Sequence, residues 1–238
     1  MKRALMVAAL LVLAGCGSAE KSDQGTSTGS DQEKGSAMVG DCSATSDQVT
    51  GAKTLVSADL DGDGTPEAVK LTTPGGDCST TLFAKLGEGY VATAVPTEPP
   101  ATSAFAVDPG SGGQLVVTRA DHPRGGYQLR VYAASADELT ELKVDGQPLL
   151  PFVASDVQEH PWSIDCSADG LVFTEAVAHE PIGVVPAWDI KQTTYSVDGT
   201  TVTKGATKEI ADNVLAQDLE VKYPDLVKHS AFKSCRAS

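Results

Sequence analysis

A chain of 238 residues with 18 Lys and Arg against 32 Asp and Glu carries a formal charge of −14. That balance excludes nucleic acid or another anionic surface as the main partner, because such binding needs clustered cations. With 41% hydrophobic and 21% charged residues, the composition is that of a folded soluble chain, long enough for one domain or two small ones. Thirteen prolines and 23 glycines beside only 2 Trp, 5 Tyr and 5 Phe predict many turns around a core of Val, Ala and Leu.

Lys2 and Arg3 precede an apolar run from Ala4 to Gly15. The run is too short to cross the roughly 30 Å hydrocarbon layer as a helix, and it has the layout of an export signal. Its end, Leu13-Ala14-Gly15-Cys16, resembles the bacterial lipobox. There, small side chains let a peptidase reach the bond before a cysteine whose sulfur carries a diacylglyceryl group. The resemblance implies a signal peptide over residues 1–15 and a mature chain starting at lipidated Cys16. It also implies a bacterial cell membrane location facing outside the cytoplasm, with the membrane as a partner through that anchor. An ordinary secretory signal with an incidental cysteine is the alternative. Two or more acyl chains anchor stably, whereas one binds marginally. From Cys16 to residue 41 the chain is rich in Ser, Gly and Asp and nearly free of apolar residues. Such a segment buries too little surface to offset its ordering entropy and reads as a flexible tether.

Four cysteines follow: Cys42, Cys78, Cys166 and Cys235. An even number in an exported chain favours disulfides. Three pairings exist. Cys42–Cys78 with Cys166–Cys235 is favoured, since each bond then ties a segment flanking one end of the folded part to its nearest repeat. Zinc is the alternative, although no CxxC pair is present.

The folded part, residues 42–238, carries a faint repeat over about 55–98, 104–150 and 161–204. Such periods signal stacked supersecondary units. Each unit opens on a short strand leading to an aspartate: Val56–Asp59, Phe105–Asp108 and Trp162–Asp165. A second strand follows at Ala68–Thr72, Leu115–Thr118 and Leu171–Thr174. The third lies at Thr81–Leu86, Tyr127–Tyr132 and Trp188–Val197, and the fourth at Tyr90–Val95, Leu139–Val144 and Thr200–Lys204. Period-two alternation in Gln128–Tyr132 and Leu139–Val144 predicts half-buried strands. In the C-terminal segment, 205–238, the spacing of Ile210, Val214 and Leu215 predicts a short helix over Lys208–Leu219, stopped by Pro224. The expectation is an all-β fold of about three four-stranded, propeller-like repeats, arranged as an incomplete propeller or a β-sandwich.

One loop carries chemical logic: Asp59-Leu60-Asp61-Gly62-Asp63-Gly64-Thr65-Pro66-Glu67. Carboxylates at its first, third, fifth and ninth positions converge when it curls, the Thr65 carbonyl adds an oxygen, and Gly64 permits the turn. A hard cation such as Ca²⁺ takes six to eight oxygens at about 2.3–2.6 Å. An EF-hand would need a glutamate at the twelfth position, which is Lys70 in an apolar strand, so that motif is rejected. The strand–loop–strand placement resembles the FG-GAP/VCBS repeat family, whose D-x-D-x-D-G-x-x-D loop joins two strands. Leu82–Tyr90 is similar to its strand–Gly-x-Gly–aromatic element. The resemblance covers about one repeat, residues 55–95. It implies one structural Ca²⁺ held by the Asp59, Asp61, Asp63 and Glu67 side chains and the Thr65 backbone. Glu67 departs from the family's usual Asp. Of the other two loops, Asp108–Gly113 keeps one carboxylate and Asp165–Gly170 two at the wrong spacing, so neither is expected to bind metal, and an acidic turn that binds nothing is the alternative for the first.

His122, His160, His179 and His229 lie in no HExxH, and the folded part, residues 42–238, has no GxSxG elbow or phosphate loop. Asp121–Gly126 is a polar inter-strand loop. The expectation is therefore a binding module for an unknown protein or glycan rather than an enzyme, with an extracytoplasmic hydrolase or lyase on the same scaffold as the alternative.

Overall fold

The computed structural model describes residues 37–237 apart from 74, 76–77, 111, 155–159, 169 and 180–186. The export signal, Cys16 and the tether up to residue 36 lie outside the described residues.

Folding begins ahead of the boundary expected at Cys42. Strand β1 (Met38–Val39) pairs antiparallel with β2 (Cys42–Ser43), and a short helix, α1 (Asp47–Thr50), follows. Ser46 caps that helix by accepting the Val49 N–H at 3.3 Å. Val39 is fully buried, which explains why the polar tether ends before it.

Three four-stranded antiparallel sheets come next, each with its strands in chain order. Sheet one is β3 (Lys53–Ala58), β4 (Glu67–Leu71), β5 (Thr81–Leu86) and β6 (Gly89–Ala94). Sheet two is β7 (Ser103–Val107), β8 (Leu115–Asp121), β9 (Tyr127–Ala134) and β10 (Leu139–Glu141). A small hairpin then intervenes, β11 (Lys143–Val144) with β12 (Gln147–Pro148). Its Asp145-Gly146 turn has φ of 52° and 77°, the mirror-image turn that matches strand twist and favours Asp-Gly. Sheet three is β13 (Trp162–Ser167), β14 (Gly170–Ala178), β15 (Ala187–Asp198) and β16 (Thr201–Leu215). Helices α2 (Ala216–Lys222) and α3 (Pro224–Val227) follow. The fold is all-β with short helices.

Alternation along the strands of sheet two sets the order of the layers. Ala106, Val116, Tyr132 and Leu139 join Ala58, Val69, Leu82 and Val91 of sheet one in one core. The intervening Val107, Leu115, Val117, Leu129 and Val131 join Trp162, Ile164, Leu171 and Phe173 of sheet three in another. Successive side chains point to opposite faces, so sheet two is buried on both. The outer faces are capped differently. Val39, Cys42 and Val49 cover Phe83 of sheet one. Leu219 and Leu226 cover Ala176, Ile190 and Val214 of sheet three.

The helix expected over Lys208–Leu219 is corrected by the structure. Residues 201–215 form the longest described strand, β16, which pairs with β15 through several register shifts. Helix begins only at Ala216. Pairing with the preceding strand, β15, overrides the local spacing of Ile210, Val214 and Leu215. Helix α2 ends at Lys222, ahead of the expected stop at Pro224, which also opens α3, where a missing N–H costs nothing. The fourth strand of the second repeat also stops short, at Glu141, because Leu142 turns the chain into the β11–β12 hairpin.

Cys42 is bonded to Cys78 and Cys166 to Cys235, with Cα–Cα distances of 5.2 and 5.9 Å. After α3 the chain returns between sheets two and three. The Ile164 N–H donates to the Ser230 carbonyl and the Phe232 N–H to the Ile164 carbonyl, on sheet three. The Asp108 N–H donates to the Cys235 carbonyl and the Ala237 N–H to the Ala106 carbonyl, on sheet two. One C-terminal segment thus joins the edge strands β13 and β7.

Candidate metal centre

The acidic loop joins β3 to β4 at the end of sheet one. It is pinned from within by Leu60, 3% exposed in the core between sheets one and two. Burying such a side chain contributes about 1.5–3 kcal/mol. The loop also leans on the equivalent turn of sheet two. The Asp59 N–H donates to Gln114 Oε1 at 2.9 Å, and the Gln114 N–H donates to the Asp59 carbonyl at 2.6 Å. Gly113 lies so close that a Cβ there would overlap the Leu60 carbonyl.

Within the loop, Asp59 curls the chain. Its Oδ1 accepts the Gly62 N–H at 2.8 Å and its Oδ2 the Gly64 N–H at 2.9 Å. Glu67 Oε2 accepts the Leu60 N–H at 2.9 Å, drawing the loop's two ends together. Carboxylate oxygens of Asp59, Asp61 and Glu67 consequently lie within 4.8 Å of one another. Oxygens bound to one ion at about 2.3–2.6 Å stand no more than about 5 Å apart, so this spacing fits a hard cation. A carboxylate oxygen that accepts one N–H keeps a further lone pair for a metal.

The Asp63 carboxylate is not part of this three-carboxylate group. Asp63 Oδ1 accepts the Thr65 N–H at 2.7 Å, and the Asp63 N–H donates to Asp61 Oδ1 at 3.2 Å. These bonds brace the exposed side of the turn. A second grouping, Asp41 with Cys42 and Cys78, holds no metal-binding thiolate because its sulfurs are bonded to each other. Asp41 instead accepts the Ser79 N–H and hydroxyl, the latter at 2.8 Å, and those bonds hold its carboxyl below the usual range.

The aspartates at equivalent points of the three sheets do different work. Asp108 Oδ1 accepts the Gly110 N–H at 2.8 Å and only shapes its turn. Asp165, inside β13, accepts the Ser234 N–H and hydroxyl at 3.0 and 2.7 Å. Among the histidines, His122 packs edge-on to Phe152 and accepts the Arg124 N–H on Nδ1. His229 is buried, with Nε2 3.1 Å from the His160 carbonyl and its ring against Trp162. His179 Nδ1 lies 2.8 Å from Asp189 Oδ1, which also accepts the Asn213 N–H. Sequence reasoning missed this last pair, which only the β14–β15 pairing assembles. Comparisons with protein-family models, characterised proteins and solved structures return no match.

Proposed function

We propose that this chain is a membrane-anchored extracytoplasmic lipoprotein whose all-β domain is a binding module, stabilised by one Ca²⁺ in the loop from Asp59 to Glu67. The observation that carries the reading is the convergence of Asp59, Asp61 and Glu67 at a cation-compatible spacing, in a loop that resembles those of FG-GAP/VCBS repeats. The three carboxylates would hold the ion. Its role is to neutralise three like charges gathered in one turn and so keep the loop closed. In this reading the three four-stranded sheets are propeller-like repeats that stack in an open row, each terminal face covered by its own cap. Anchoring through Cys16 follows from the lipobox resemblance. Among the described residues, no helix is long and apolar enough to cross a membrane.

The direct test is terbium luminescence or calorimetric Ca²⁺ titration of the full chain. One saturable site that Asp61→Ala abolishes supports the reading, and absence of any saturable cation binding rejects it.

A further inference from the structure

In a chain with 32 acidic against 18 basic residues, cations of sheet two and of the C-terminal segment converge on one groove. It has a volume of about 380 Å³, within the range of small-molecule sites. Phe105, Arg119, Tyr127, Lys228, Ser230 and Arg236 line it, and among the described residues no carboxylate does. An adjoining hollow shares Ser230 and Arg236 and adds Lys233.

Both arginines sit over aromatic rings. The Arg119 guanidinium lies 3.9 Å from the centre of the Tyr127 ring, and that of Arg236 lies 4.0 Å from the centre of Phe105. Phe105 is itself braced by Phe232, with ring centres 6.4 Å apart. Stacking engages a guanidinium's face and leaves its in-plane N–H groups available for a carboxylate or phosphate. Arg119 spends part of that edge on Asp121, whose Oδ1 it meets at 2.8 Å, and Thr102 holds the other Asp121 oxygen. Among the described residues, its remaining N–H groups meet no other carboxylate. Among the described residues, Arg236 and Lys228 lie within ion-pair distance of no carboxylate. The nearby Asp225 is engaged by Ser230 and Lys233.

We propose that this groove binds an oxyanion, a phosphate or carboxylate carried by a small polar ligand. Arg236 and Arg119 serve as planar hydrogen-bond donors, Lys228 supplies further charge, and Asp121 positions Arg119. The inference rests on the binding-module reading and gives that module its ligand chemistry. The groove draws residues from positions 103–129 and 228–236, so the C-terminal segment that joins sheets two and three also completes the site.

The test is calorimetric titration of the full chain with glucose 6-phosphate, glucuronate and neutral glucose, in about 50 mM salt to limit screening. Saturable binding of an anionic sugar without binding of glucose is expected, and the stronger of the two anions identifies the group recognised. Arg236→Gln and Arg119→Gln should each weaken binding about tenfold or more, and Arg236→Lys should recover only part of the loss. Arg124→Gln, on the β8–β9 loop outside the groove, should leave binding unchanged, and a melt of each variant checks its fold. Absence of saturable binding by both anions, or binding that survives both glutamine substitutions, overturns the proposal. An Asp61-dependent Ca²⁺ effect that persists in that case rejects the groove alone and leaves the module reading standing.

Discussion

The Asp165 carboxylate accepts both the backbone N–H and the hydroxyl of Ser234, 69 residues further along the chain. Beside it runs the Cys166–Cys235 disulfide, so a charged acceptor and a covalent bond hold the same segment at the same place. That segment carries the backbone bonds that link β13 to β7. Asp165→Ala should lower stability by about 0.5–1.5 kcal/mol, the net worth of a hydrogen bond whose partner, Ser234, water can reach. Opening the disulfide, which closes a 69-residue separation, should cost about 2–5 kcal/mol. Because the two clamps share a segment, the double variant should depart from additivity in denaturant melts. Strict additivity would mean that they act on separate structures.

Calcium should stabilise the domain. At about 2 mM Ca²⁺ and a dissociation constant of about 0.2 mM, linkage gives about 1.4 kcal/mol, or roughly 3–6 °C in the melting temperature. Asp61→Ala should erase that shift. Asp63→Ala should preserve at least part of it, because Asp63 braces the turn outside the three-carboxylate cluster. Equal loss in both variants would show that Asp63 is as necessary to the site as Asp61.

Two glycines separate packing from backbone strain. Gly64 has φ of 88° with open space around it, whereas Gly113 faces the Leu60 backbone carbonyl. Gly64→Ala should cost about 1–2 kcal/mol from the left-handed conformation alone. Gly113→Ala forces main chain from main chain and should cost as much or more. It should also weaken cation binding, since it pushes on the residue between Asp59 and Asp61. Unchanged Ca²⁺ affinity in Gly113→Ala would uncouple the two loops.

Acid sensitivity should divide into two windows. Burial lowers the His229 pKa below its ordinary 6.5, so the unfolded chain binds its proton first. Stability from this group is therefore complete above about pH 6.5 and declines as the pH falls toward its folded value. Asp225 and Asp189 are also lowered, the first chiefly by the Ser230 hydroxyl and the second chiefly by the Asn213 N–H. Their contributions are lost only as the pH falls below about 3.9. His229→Asn keeps a donor for the His160 carbonyl and tolerates the positive φ of 47°. It should flatten the stability profile between about pH 7.5 and 5 while leaving the lower window intact, as read by urea melts across pH.

Cys16→Ala should abolish lipid labelling in cells and release the chain from the membrane fraction. Labelling that persists would reject the lipobox reading.

Much of the fold is legible locally. Alternation along Gln128–Tyr132 and the Asp-Gly turn mark strands and hairpins, and the loop from Asp59 to Glu67 announces its carboxylates by spacing. The apolar run Leu115–Val117 could not show what covers each face of β8. Val116 packs toward sheet one, while Leu115 and Val117 pack toward sheet three. The Lys208–Leu219 stretch has a spacing that suits a helix, and only pairing with Ala187–Asp198 makes its first part a strand.

The sequence by itself determined the strand-rich composition, the acidic charge, the four cysteines available for bonding and the carboxylate spacing of one loop, since these depend on residue types and on residues close together in the chain. Tertiary structure alone decided which carboxylates meet, which aspartate holds the C-terminal segment, and which arginines share a groove. Arg119 and Arg236 are 117 positions apart, and no local propensity relates them. They line one groove because the returning chain pairs with β7 and β13, and that pairing depends on cores formed between separate sheets.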